Sequence, residues 1–98
     1  MQTLFVFAND LAKYFVLSKN KKVAAMHIVY EINSRIDSDM KHLTEDDKRI
    51  ILHLMEDFIS GGQQFILKPG EMIITKQKDH DEFIAFKKYI NDHVLMKK

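Results

Sequence analysis

QQFILKPGEMIITKQ, Gln63 to Gln77, consists of two short apolar runs hinged on Pro69-Gly70, in a chain whose other apolar residues recur at helical spacing. A two-residue loop at Pro69-Gly70 sets Leu67 opposite Met72, Ile66 opposite Ile73 and Phe65 opposite Ile74, with Lys68 and Glu71 at the tip. Side chains alternate across a strand, so Phe65, Leu67, Met72 and Ile74 share one face and Ile66 and Ile73 the other. The expectation is a β-hairpin. Pro-Gly favours a type II turn, which follows strand twist less well than the primed turns, so the register can slip or the loop lengthen.

Around this stretch four helical segments stand out by period. The first runs from about Thr3 to Leu17, with Leu4, Phe7, Ala8, Leu11, Ala12 and Phe15 on one face. Phe5, Val6, Tyr14 and Val16 spread apolar surface around the rest, as in a helix buried on several sides or meeting a partner. Its opening TLFVF also reads as a short strand, since periodicity cannot separate the two over five residues. SKNKK makes a turn. The second helix runs from about Lys21 to Asp37 on a stripe of Ala25, Ile28, Val29, Ile32 and Ile36, with His27, Glu31 and Arg35 pointing away. After the polar link DSDMKH, Thr44 caps a third helix with Asp47 three residues on, and Glu45 and Asp46 complement the helix dipole. Ile50, Ile51, Leu54, Met55, Phe58 and Ile59 form its expected buried face, and Gly61-Gly62 stop it. A fourth helix is expected from Asp79, with Glu82 completing a capping box, Phe83, Phe86, Ile90 and Val94 turned inward, and fraying at Lys97 and Lys98. The fold class expected is α+β, mainly helical: four helices with one β-hairpin between helices three and four, in one domain over residues 1–98.

Composition narrows the function. The 98 residues are 46% hydrophobic and 30% charged, which suits a packed domain rather than a disordered chain. Fifteen basic residues face 14 acidic ones, and the halves do not differ, so the basic excess that drives phosphate binding is missing. Without cysteine there is no disulfide framework, thiolate nucleophile or zinc-thiolate site. The apolar start MQTLFVFANDLAKYFVL lacks a basic leading region and is interrupted by Asn9, Asp10 and Lys13. It reads as part of the fold of a cytoplasmic protein, not as a signal peptide or membrane span.

Spacings that carry chemistry are scarce. No glycine-rich phosphate loop or nucleophile elbow occurs. In DHDE, Asp79 to Glu82, a histidine stands among three carboxylates, but adjacent helical residues do not face each other and the cluster reads as a charged helix start. His53–Asp57 and His27–Glu31 are i,i+4 pairs that read as solvated charge pairs rather than metal ligands. No cofactor, metal or catalytic residue is assigned, and no enzymatic activity is expected.

Three helices, a hairpin carrying Lys68, Lys76 and Lys78, and a fourth helix resemble the layout of a winged-helix DNA-binding domain. The resemblance implies a transcriptional regulator whose third helix enters the major groove. That helix carries Glu45, Asp46, Asp47, Glu56 and Asp57 against Lys48 and Arg49, and its first turn, which should meet base edges, is its most acidic part. A small protein-binding regulator, of inhibitor, immunity or adaptor type, is the better reading. A lone hairpin is marginal until something covers it. Ile66 and Ile73, beside Lys68 and Glu71, then form a face for another protein or a twin subunit, unless the hairpin packs wholly within the monomer. Phe5 and Val16 on the first helix are candidate contacts of a homodimer.

Overall fold

The computed structural model describes residues 3–36 and 41–95. Four helices form it: α1 (Leu4–Leu17), α2 (Lys21–Ser34), α3 (Glu45–Ser60) and α4 (Gln77–Leu95). TLFVF is therefore helical from Leu4. α1 packs chiefly on α3, α3 on α4 and α4 on α2, and a lighter α1–α2 contact closes the ring. Phe15, Phe58, Phe83, Ile28, Ile32, Met55 and Ile90 fill its centre, with Phe15 and Phe83 edge to face at 5.6 Å.

Local signals explain the boundaries. Thr3 Oγ1 accepts the Val6 N–H at 3.1 Å, and Asn20 Oδ1 accepts that of Val23 at 3.1 Å. In the expected capping box, Thr44 Oγ1 accepts the Asp47 N–H at 3.1 Å while Asp47 Oδ2 accepts the Thr44 N–H at 3.4 Å. The SKNKK turn is tight because the Lys21 ammonium donates to the carbonyls of Phe15 (2.6 Å), Val16 (3.0 Å) and Ser18 (2.8 Å), placing a cation on the negative end of α1. Gly61 ends α3 at φ 91°, a left-handed conformation natural to glycine.

Several expectations are corrected. α2 ends at Ser34, and Ile36 lies beyond it, exposed and joined to His42 by an isolated antiparallel bridge. Asp37, the expected end of α2, and the frayed Lys97 and Lys98 lie outside the described residues. On α3, Leu52 is buried where Ile50 was expected, and Ile50 faces solvent. α4 begins at Gln77, two residues early, so Asp79 is not its cap. The Asp79 carboxylate instead reaches back to the Lys76 N–H at 2.8 Å.

The largest correction is the hairpin. Among the described residues there is no strand and no sheet, so the fold is all-α, with an irregular connection from 61 to 76. The turn itself forms: Glu71 N–H donates to the Lys68 carbonyl at 2.9 Å, and Gly70 stands at φ 81°, the type II signature after proline. A type II turn splays its arms against strand twist, and here no ladder bond joins them. The backbone of the first arm is taken by α1 instead.

Candidate functional site

Asn9 and Lys13 lie one helical turn apart on α1 and so project to the same side. Asn9 Oδ1 accepts the Ile66 N–H at 2.8 Å, and the Lys13 ammonium donates to the Ile66 carbonyl at 3.0 Å. Both polar groups of one peptide residue are thus held by helix side chains, as a neighbouring strand would hold them. Lys13 also meets Glu71 Oε1 at 2.8 Å, and the same oxygen accepts the Lys68 N–H at 2.9 Å, closing the turn. The Lys13 hydrogen bond, then that of the Lys68 N–H, hold the Glu71 carboxyl below the usual carboxylate range. Phe65 lies nearly parallel to Phe58 at 5.3 Å, and Phe5 meets Phe58 at 5.1 Å, so α1, α3 and the first arm share an aromatic anchor.

The second arm is held only at its ends. Glu71, Ile73 and Thr75 are half-buried, whereas Met72, Ile74 and Lys76 are exposed. Exposure thus alternates along the arm, as side chains do on an extended chain. No hydrogen bond to the backbone N–H or C=O groups of Met72 to Thr75 occurs among the described residues. Met72 and Ile74 are 76% and 68% exposed, well beyond the other large apolar residues of the connection. Between the splayed arms lies a cavity of about 360 Å³, walled by Phe65, Leu67, Ile73 and Thr75 and floored by Phe58.

The residues expected to carry binding fall out unevenly. Ile66, Lys68, Glu71 and Ile73 all belong to this connection, but Ile66 faces solvent while Ile73 turns toward the cavity, so they do not form one outer face. Leu67, Met72 and Ile74, expected inside, are outside. Phe5 is half-buried against Phe58, and Val16 is half-buried against the core in the last turn of α1. Asn9 is the residue that sequence reasoning missed. A single asparagine among phenylalanines and alanines was the available signal, because a buried amide needs a partner; Asn9 is 2% exposed.

Other polar groups pair within or between helices. Glu56 on α3 accepts from Lys87 at 2.7 Å and lies 3.3 Å from His80, both on α4. The Lys87 hydrogen bond lowers the Glu56 pKa, burial opposes it, and His80 adds to the lowering. In DHDE, Asp79 reaches the Lys76 backbone, His80 meets Glu56 and Asp81 accepts from Gln77, so the side chains diverge. Among the described residues no group of three or more potential ligands could hold a metal. His53–Asp57 and His27–Glu31 form the i,i+4 pairs read from sequence, at 3.6 and 3.7 Å. A second apolar area lies between α2 and α4, where Lys22, Met26, Ala85, Phe86 and Tyr89 line a cavity of about 290 Å³. No helix among the described residues is long and apolar enough to cross a membrane. In comparisons with known protein families, curated proteins and solved structures, nothing matches this chain.

Proposed function

We propose that this chain is a small non-enzymatic regulator, of inhibitor, immunity or adaptor type, that acts in the cytoplasm by binding another protein through the connection between α3 and α4. One observation carries the reading. Met72 and Ile74 stand exposed at alternate positions of an arm whose backbone from Met72 to Thr75 has no hydrogen-bond partner among the described residues and whose start is tied to α1 by the Glu71–Lys13 pair. Exposed apolar side chains on an open edge are an aggregation hazard unless a partner covers them. Fixing the arm beforehand lowers the ordering cost of binding. The α2–α4 cavity is weaker support, because the helix backbones around it are already hydrogen bonded.

Self-association is a second form of this reading, in which the arms of a homodimer cover Met72 and Ile74 in both copies. Phe5 and Val16 give it less support than the sequence suggested, since both already pack against the core. A winged-helix reading loses the hairpin that formed its wing.

The test places a photo-crosslinking amino acid at position 72, with position 88 on exposed α4 as control, in cells that express the protein. A protein adduct specific to position 72, abolished when Ile74 becomes aspartate, is the expected result. The Met72→Asp, Ile74→Asp variant should keep its stability within about 0.5 kcal/mol, because both side chains are solvated already. Adducts only with nucleic acid, or equal adducts at both positions, would refute the reading.

A further inference from the structure

We draw no further inference here: the strongest candidate, the open apolar cavity between α2 and α4 walled by Met26, Ala85, Phe86 and Tyr89, carries nothing because no feature of the structure shows what covers it.

Discussion

Replacing Asn9 with leucine should detach the first arm of the connection while leaving the four helices standing. Asn9 Oδ1 holds the Ile66 N–H at 2.8 Å in a buried setting, and Lys13 holds the carbonyl of the same residue at 3.0 Å. A hydrogen bond of this kind contributes about 1 kcal/mol net. Leucine removes that bond but adds apolar volume where α1 meets the core, so the helical frame is largely spared. The cost should appear as local opening: protection of the Ile66 amide falls about fivefold for about 1 kcal/mol. The melting temperature falls by at most about 4–8 °C for that energy in a domain of this size. Native-state hydrogen exchange reads this directly, because the molecule contains its own control. Ile66 is bonded and should be protected, whereas Met72, Ile73 and Ile74 have no backbone hydrogen-bond partner among the described residues and should exchange near the rate of an open chain. In Asn9→Leu, Ile66 should approach Met72, while Phe58 on α3 keeps its protection. Lys13→Met should loosen the same residue from its carbonyl side, and the double variant should cost less than the two changes together, since both grip one residue. The reasoning fails if wild-type Ile66 exchanges as fast as Met72, or if Asn9→Leu leaves its rate unchanged.

Three further outcomes follow from the helical frame. Thr44→Ala should cost about 1 kcal/mol in urea unfolding, since it opens the capping box of α3; an unchanged midpoint would show that the box is idle. Phe58→Ala should cost about 3–5 kcal/mol, because the ring is fully buried between Phe5 and Phe65 and cannot be replaced by a small shift. Glu56 has a lowered folded-state pKa, so its contribution is complete above the ordinary glutamate range and is lost as pH falls through the lowered value. The stability gap between wild type and Glu56→Gln should therefore be constant near neutrality and close in acid, and a gap that widens in acid would contradict the assignment.

The helices were legible because their signals are local. Thr44 with Asp47, Gly61, and the 3.6-residue stripes of α1 and α4 each specify structure within a turn or two. Ile36 and Ile50 were misplaced because a stripe gives a face only to the nearest residue, and the neighbours of α2 and α3 decide which flank is covered. The connection failed for a different reason. QQFILKPGEMIITKQ has strand composition and a turn at its centre, and the turn formed with the geometry that proline and glycine favour. Whether its arms pair depends on what else binds their backbone, and that competitor is Asn9 and Lys13, more than fifty residues away in the chain. Of the connection, the turn was legible, but the faces of Ile66, Leu67, Met72 and Ile74 were not. With no ladder, the two arms had no common alternation to obey.

The same competition fixes one residue of the first arm, Ile66, to α1. Asn9 is an expensive residue for the middle of an apolar helix unless its amide is used, and the arm supplies the N–H that uses it. Lys13 does the same for the Ile66 carbonyl and, through Glu71, reaches across the turn. Ile66 is therefore held on α1, and Phe65 on Phe58 adds the apolar half of the attachment. At the other end, the Asp79 carboxylate fixes the Lys76 N–H at the start of α4. Glu71 and Lys76 are tied down, while the backbone between them has no hydrogen-bond partner among the described residues and carries Met72 and Ile74 outward. A flexible loop could let those side chains fold back on the protein. An arm anchored at both ends cannot, which leaves the apolar side chains of Met72 and Ile74 turned to solvent.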